Sequence, residues 1–144
     1  MSSLLRTFEG GCHCGALGFS FQTARAVSQW SVRACQCGFC RAHGALTASD
    51  PSGRLAFQVK QGEALERYRF ALMTADFLLC RRCGVYVDAQ IETTQGAFGI
   101  INTRTLMPVP AELPVAAKSN YDSESTSDRV ARREQRWTPL AKVV

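Results

Sequence analysis

Seven cysteines in three short clusters carry the most specific chemistry of this sequence. The clusters are Cys12-His13-Cys14-Gly15, Cys35-Gln36-Cys37-Gly38-Phe39-Cys40 and Cys80-Arg81-Arg82-Cys83-Gly84. Two thiolates one or two residues apart can converge on one metal ion at about 2.3 Å when a neighbouring glycine lets the backbone turn sharply. Cysteines buried only for their apolar character would instead be scattered through the chain. The spacing therefore predicts zinc knuckles.

The seven thiolates divide most simply into a site of four and a site of three. Four thiolates close a tetrahedral zinc and make it structural, whereas three leave a fourth position for water or a substrate ligand. Linking two pairs that lie far apart in sequence would clamp the ends of a β domain. We therefore predict two zinc ions, a structural one bound by Cys12, Cys14, Cys80 and Cys83 and an open, catalytic one bound by Cys35, Cys37 and Cys40.

Few side chains near the open site offer a proton. His43 follows Cys40 by three residues and His13 stands between two cysteines, which makes them the candidate proton donors. A plain surface position for either histidine stays open, as does a role for Tyr68 or Tyr86. The sequence singles out no substrate-binding residue.

The formal net charge is +5, and most of the basic residues are arginine. Seven thiolates on two zinc ions would lower that charge, because metal ligation deprotonates thiols. We interpret the arginines beside the cysteines mainly as compensating charges, with carboxylate binding as the alternative. Acidic neighbours dilute the C-terminal arginine stripe, which favours a solvated face, and we do not expect nucleic acid as a partner. The two sets are Arg33, Arg41, Arg81 and Arg82, and Arg129, Arg132, Arg133 and Arg136.

Short strands must position these clusters. Apolar and polar residues alternate in segments separated by turn signals such as Asp50-Pro51-Ser52-Gly53. We predict a mainly β domain of short antiparallel strands with the metal ligands at their turns. The polar stretch Ser123 to Arg136 is a possible short C-terminal helix or a loose tail. The strand segments are 17–21, 30–34, 55–59, 68–70, 77–79, 85–91 and 98–100.

The length and the N-terminus indicate one cytoplasmic domain. A chain of 144 residues with 46% hydrophobic residues suffices for a single core, so we predict one domain over 1–144. Met1 to Thr7 has no apolar run of signal-peptide length, and 18 consecutive apolar residues occur nowhere, so no membrane association is expected. A reducing compartment leaves thiols free to bind metal, which disfavours disulfides among the seven cysteines.

Four blocks of the sequence resemble one family, the glutathione-dependent formaldehyde-activating enzymes, to which centromere protein V is also related. The blocks are Gly11-Cys-His-Cys-Gly15, the Cys-x-Cys-x-x-Cys of 35–40 followed by Arg41, Phe77 to Gly84, and Ile101-Asn-Thr-Arg-Thr-Leu106. They occur in the family's order and cover about 10–106, leaving 111–144 as a C-terminal extension. The resemblance implies a β-tent fold, the same two zinc sites, and carbon-sulfur lyase activity that forms S-hydroxymethylglutathione.

Two functions of different classes follow. In the first, a zinc-bound thiolate from glutathione or another thiol adds to a small aldehyde such as formaldehyde, a reaction that needs positioning and a proton donor. In the second, the protein is a non-catalytic zinc-binding module for a protein or nucleic-acid partner. The three-cysteine cluster favours the enzyme, because a purely structural module has no need of an open metal site. The sequence leaves the oligomeric state and the identity of the thiol and aldehyde open.

Overall fold

The computed structural model describes residues 4–144, which form two β-sheets and two α-helices. The helices are α1 (Gly38–His43) and α2 (Thr126–Arg136). The strands are β1 (Arg6–Gly11), β2 (Leu17–Thr23), β3 (Arg33–Cys35), β4 (Thr47–Ala48), β5 (Arg54–Val59), β6 (Leu65–Tyr68), β7 (Asp76–Cys80), β8 (Tyr86–Thr93), β9 (Gly96–Asn102), β10 (Ala117–Ser119) and β11 (Thr138–Pro139). The prediction of a mainly β protein with a short C-terminal helix is confirmed.

The smaller sheet has the order β1-β2-β5 and is antiparallel throughout. Its central strand carries Phe19 and Phe21 at alternate positions, and each ring is only 1% exposed. These rings pack with Leu55 of β5 and with Ile101 of the larger sheet. This set of buried side chains, the inner core, therefore lies between the two sheets.

The larger sheet runs β10-β3-β4-β9-β8-β7-β6, with β11 paired to β9. Its side chains alternate between two faces, as the pleat of a strand requires. Leu78 and Ile101 join the inner core, whereas their neighbours Phe77 and Ile100 join a second buried cluster, the outer core. Each face of this sheet therefore has its own packed layer.

A β-bulge redirects one residue of β8. The register with β7 shifts between Leu78 and Leu79, so that Leu79 pairs with Tyr86 whereas Leu78 pairs with Asp88. A bulge inserts an unpaired residue and reverses the alternation on one side of it. Tyr86 consequently joins Ala89 and Ile91 in the outer core, although regular pleating would place it on the opposite face.

Several elements differ from the sequence expectation. The segment predicted at 30–34 forms a strand only over Arg33–Cys35, because Trp30 ends a 3-10 turn. The strand predicted at 68–70 ends at Tyr68. The expectation of antiparallel pairing fails at one edge, where β10 pairs with β3 in parallel. In the second cysteine cluster, Cys37 caps α1 and Cys40 lies on it, where no helix was predicted.

The C-terminal segment packs against both sheets. Leu140 of this segment pairs with Leu55 of the smaller sheet, and the amide of Val144 donates to Gln90 of β8. The helix α2 is amphipathic, and Ser125 caps it by accepting a hydrogen bond from the amide of Asp128 at 3.1 Å. Within residues 4–144, neither helix is long and apolar enough to cross a membrane.

Candidate active site and metal centres

The structure brings Cys12, Cys14, Cys80 and Cys83 together, and we call this group the four-cysteine cluster. Their sulfur atoms all lie within 4.8 Å of one another. The Sγ of Cys14 is 3.7 Å from that of Cys12 and 3.6 Å from that of Cys80. A tetrahedron of sulfurs around zinc at about 2.3 Å has edges of about 3.8 Å. The donor set and its spacing therefore fit a four-thiolate zinc.

Two turns of the same construction supply these sulfurs. Gly15 and Gly84, with φ of 84° and 80°, follow the two cysteine pairs in the left-handed conformation that glycine adopts without a steric penalty. Their amides donate to the carbonyls of Cys12 and Cys80 at 3.2 and 2.8 Å. Each turn thus points its two sulfurs inward.

Polar hydrogens already favour negative charge at this cluster. The amide of Leu17 donates to the Sγ of Cys12 at 3.3 Å. Burial opposes the thiolate of Cys83, yet hydrogen bonds from backbone amides and neighbouring thiols lower the pKa of Cys83 to about 6. Burial raises the pKa of Cys80 to about 11. A zinc ion would offset that burial, because it holds its cysteine ligands deprotonated.

The structure also brings Cys35, Cys37 and Cys40 together, within 4.8 Å of one another, and we call them the three-cysteine cluster. Cys35 is the last residue of β3, and Cys37 is the N-cap of α1. The amide of Cys40 donates to the Sγ of Cys37 at 3.3 Å. The strand end and the first helical turn therefore aim three thiols at one point.

Within this cluster, Cys37 is the thiol that ionises most readily. Hydrogen bonds from the thiols of Cys35 and Cys40, aided by the amides of Cys40 and Phe39, lower the pKa of Cys37 to about 2. The pKa of Cys35 is raised by its hydrogen bond to Cys37, and the pKa of Cys40 is raised by its hydrogen bonds to Cys35 and Cys37. The cluster is thus prepared to bind a cation through sulfur.

All three thiols line a cavity of about 250 Å³ on the outer-core side of the larger sheet. Apolar side chains form much of its wall, including Phe77, Ile100 and Trp137. No member of the four-cysteine cluster lines this cavity, and Cys12 and Cys80 are 0% and 1% exposed, although Cys14 is exposed. The three-cysteine cluster therefore has room for a ligand beside it.

Arginines complete the cavity, which corrects the interpretation of the C-terminal stripe as a solvated face. Arg129, Arg132 and Arg133 of α2 line the cavity, and Arg133 is only 8% exposed. Arg136 alone of the stripe is exposed. Glu124, which dilutes the stripe in sequence, is folded against Arg132 by two hydrogen bonds of 2.8 and 3.0 Å. The stripe faces inward because α2 packs across the outer core.

The candidate proton donors lie in different places. Both histidines are exposed, and neither lines the cavity. His13 sits on the turn of the four-cysteine cluster, and the ring of His43 lies 4.6 Å from that of Phe39. Tyr86, by contrast, is 2% exposed and lines the cavity together with Cys40. Burial raises the pKa of Tyr86, so its phenol keeps its proton at neutral pH.

The arginines beside the cysteines, and the aromatic residues near them, have mostly structural positions. Arg81 pairs with Glu66 and Arg82 with Gln61 on the surface, and Arg41 is exposed, whereas Arg33 lines the cavity. Trp30 belongs to the inner core, and Phe77 is both buried and part of the cavity wall. Sequence reasoning did not find Trp137, Tyr121 or Ser119 as cavity residues. Their only sequence signal is a position in the C-terminal third, next to the arginine stripe.

Comparison with known proteins agrees with this geometry. A crystal structure of a Rhodobacter sphaeroides protein is 29% identical to this chain and has a TM-score of 0.60. The match covers 77% of this chain and 99% of that protein. The family model described as glutathione-dependent formaldehyde-activating enzyme matches residues 7–119, which include all seven cysteines. The chain therefore belongs to the family of glutathione-dependent formaldehyde-activating enzymes.

Proposed function

We propose that this protein is a zinc-dependent carbon-sulfur lyase that interconverts glutathione and formaldehyde with S-hydroxymethylglutathione. The observation that carries the proposal is the three-cysteine cluster at the wall of a cavity, within a chain of this family. A closed metal site would need no such space. A reducing compartment such as the cytoplasm would keep all seven thiols available for metal.

The two clusters have different roles in this proposal. The four-cysteine cluster would hold a structural zinc that joins the turn after β1 to the turn after β7. The three-cysteine cluster would hold the second zinc, which supplies a fourth position where an entering thiol is deprotonated. Cys35, Cys37 and Cys40 are thus the catalytic ligands.

The cavity would orient the two reactants. Phe77, Ile100 and Trp137 give part of its wall an apolar surface beside the cysteines, while arginines line another part. Holding both reactants in one cavity lowers the entropic barrier to their addition. The product carbon remains bound to one sulfur and one oxygen.

The addition itself needs one proton at the carbonyl oxygen. The substrate sulfur forms a bond to the aldehyde carbon, and the carbonyl π electrons move to oxygen. We assign the proton donor to Tyr86, because it lines the cavity and carries its proton at neutral pH, whereas His43 and His13 face solvent. The proton lost by the entering thiol returns the phenol to its starting state through solvent.

Exchange spectroscopy of glutathione with formaldehyde tests the proposal. The zinc-loaded protein is expected to accelerate the interconversion above the uncatalysed rate, and Cys37→Ser to abolish the acceleration. Arg41→Gln is the matched control, because Arg41 is exposed, neighbours Cys40 and lies outside the cavity wall.

Two results would count against the enzyme. If the zinc-loaded protein leaves the rate unchanged, the alternative of a non-catalytic zinc-binding module becomes the better account. If Cys37→Ser accelerates the reaction as strongly as the original protein does, the catalysis lies elsewhere in the molecule.

A further inference from the structure

The cavity beside the three-cysteine cluster contains more positive charge than its own residues balance. Four arginines line it, against the carboxyl groups of Asp122 and Glu124 and the single net negative charge that three thiolates and one Zn²⁺ ion would carry. Glu124 accepts two hydrogen bonds from Arg132, and its Oε1 lies 3.5 Å from the Nε of Arg129. The charges of Arg132 and Arg129 therefore have a partner within the fold.

Arg33 and Arg133 have only neutral partners. The Nη2 of Arg33 donates to the hydroxyl of Ser49 at 2.7 Å, and the Nη1 of Arg133 donates to the hydroxyl of Thr74 at 2.7 Å. No carboxylate in residues 4–144 lies within ion-pair distance of either guanidinium. A buried charge without an opposite partner destabilises a fold unless something else compensates it.

Both side chains also have unused hydrogen-bond donors. The Nε atoms of Arg33 and Arg133 are buried and have no acceptor within the part of the chain the structure describes. Buried donors of this kind are rare and need an explanation, of which a ligand is one. Burial and the neighbouring guanidinium groups lower the pKa of Arg133 to about 10, so a bound anion would stabilise its charged form.

The position of Arg133 is fixed in advance. Its guanidinium stacks on the ring of Trp137, with the central carbon 4.8 Å from the ring centroid, while Thr74 orients one nitrogen. The hydroxyl of Ser49 accepts from Arg33 and donates to the carbonyl of Arg136, which ties β3 to the end of α2. A guanidinium held in this way loses little entropy when it binds a planar anion.

We propose that Arg33 and Arg133 form an anion-binding subsite that takes a carboxylate of the thiol substrate, and that this subsite makes the protein selective for anionic thiols. The proposal rests on the proposed function, since it assumes that the thiol enters at the three-cysteine cluster. Guanidinium groups match the geometry of a carboxylate, and both line the same cavity as the cysteines. Arg133 lies beyond residues 7–119, so this chain supplies half of the subsite from outside the segment it shares with its family.

The proposal is tested by comparing the binding of three thiols that have similar size but different charge. The probes are 3-mercaptopropionate, which is anionic, 2-mercaptoethanol, which is neutral, and cysteamine, which is cationic. Calorimetric titration of the zinc-loaded protein is expected to show about 10- to 100-fold tighter binding of 3-mercaptopropionate than of 2-mercaptoethanol, as for one charge-assisted hydrogen-bonded pair. Cysteamine should bind most weakly.

The variants Arg33→Gln and Arg133→Gln are each expected to reduce that preference to within about threefold. Arg133→Lys should retain part of it, because the positive charge remains while the planar fork is lost. Arg54→Gln removes a charge from an exposed position on β5 of the smaller sheet, outside the cavity wall, and should leave the preference unchanged. Circular dichroism checks that each variant is folded. If Arg133→Gln does not fold, Arg33→Gln alone tests the proposal.

Equal affinity for all three thiols would overturn the proposal, as would a preference that both glutamine variants retain. Lyase assays on the same samples distinguish failure of the subsite proposal from failure of the proposed lyase function. A charge preference without catalysis supports the subsite and rejects the lyase. Catalysis with equal binding of the three thiols supports the lyase and rejects the subsite.

Discussion

The two cysteine clusters use the same side chain in opposite ways. The four-cysteine cluster joins turns whose cysteines are 66 residues apart in sequence, and it packs with the inner core between the sheets. The three-cysteine cluster comes from one strand end and one helical turn, and it faces a cavity on the other side of the larger sheet. In the proposed function, the number of ligands and the space beside them, rather than the identity of the ligand, distinguish the structural site from the reactive one.

The four-cysteine cluster is expected to stabilise the fold because its two cysteine pairs lie far apart in sequence. A link between distant segments restricts the unfolded chain far more than a link within six residues does. The same zinc ion bound to the three-cysteine cluster would close only a short loop. We therefore expect loss of the first site to unfold the protein and loss of the second to leave the fold intact.

The largest expected difference between the two clusters is the effect on folding of replacing one cysteine in each. Cys80→Ser removes a ligand of the proposed structural site, where a zinc ion would contribute on the order of 10 kcal/mol of binding free energy that is also folding free energy. Insoluble or unfolded protein is the expected result, measured by circular dichroism and metal analysis. Cys37→Ser, the same chemical change in the other cluster, should remain folded with about one zinc. A cooperatively melting Cys80→Ser protein with two zinc ions would reject the structural role.

The second prediction concerns Tyr86, the proposed proton donor beside the three-cysteine cluster. Tyr86→Phe removes the phenol that we place beside the aldehyde oxygen, and general acid catalysis typically contributes about 10²- to 10⁴-fold to a rate. A loss of this order in the lyase rate is expected, with zinc content unchanged. Tyr68→Phe is the matched control, since Tyr68 is 47% exposed and lies outside the cavity wall. Equal rates for the two variants would remove Tyr86 from the mechanism.

The buried carboxyl of Asp88, on the same strand as Tyr86, is expected to lower the stability of the fold. Its carboxyl is 2% exposed and its Oδ1 has no hydrogen-bond partner in residues 4–144, and burial raises its pKa well above the ordinary value. A carboxyl with a raised pKa favours the fold at low pH, and that contribution is lost as the pH rises above the pKa of the unfolded chain. Asp88→Asn stays neutral and should therefore be more stable than the original protein at pH 7.

Asp88→Asn is expected to raise the free energy of unfolding at pH 7, because the asparagine carries no charge that burial would penalise. The gain should shrink as the pH falls and vanish below about pH 3, where the original carboxyl is protonated in the unfolded chain as well as in the fold. Denaturant melts at several pH values measure it. A gain that does not change with pH would show that the titration of Asp88 is not its cause.

The cysteine spacing and the alternating strands made much of this arrangement predictable. A glycine after the second cysteine of a pair, as at Gly15 and Gly84, predicts the tight turn that brings the two sulfurs together. The central strands β2, β5, β8 and β9 alternate strongly enough to be found, because each buries at least one face.

The remaining features depend on tertiary packing. The six-residue helix α1 is too short for a helical period to appear, and it begins where a cysteine caps it. The edge strand β10 has mostly exposed side chains and pairs through its backbone alone. The inward turn of Arg133 and the bulge that redirects Tyr86 both arise from distant contacts. The cavity was therefore not predictable, although its cysteines were.

Stepwise metal release tests the difference between the clusters most directly. A four-thiolate ion has no vacant position, so a chelator must first break a bond to the protein, whereas a three-thiolate ion has a replaceable fourth ligand. Under a graded chelator, with circular dichroism recorded on the same sample, one equivalent of zinc should leave while the spectrum stays constant. The second equivalent should leave only together with the fold. Simultaneous release of both ions with loss of the fold would contradict this account and show that the two clusters form one cooperative site.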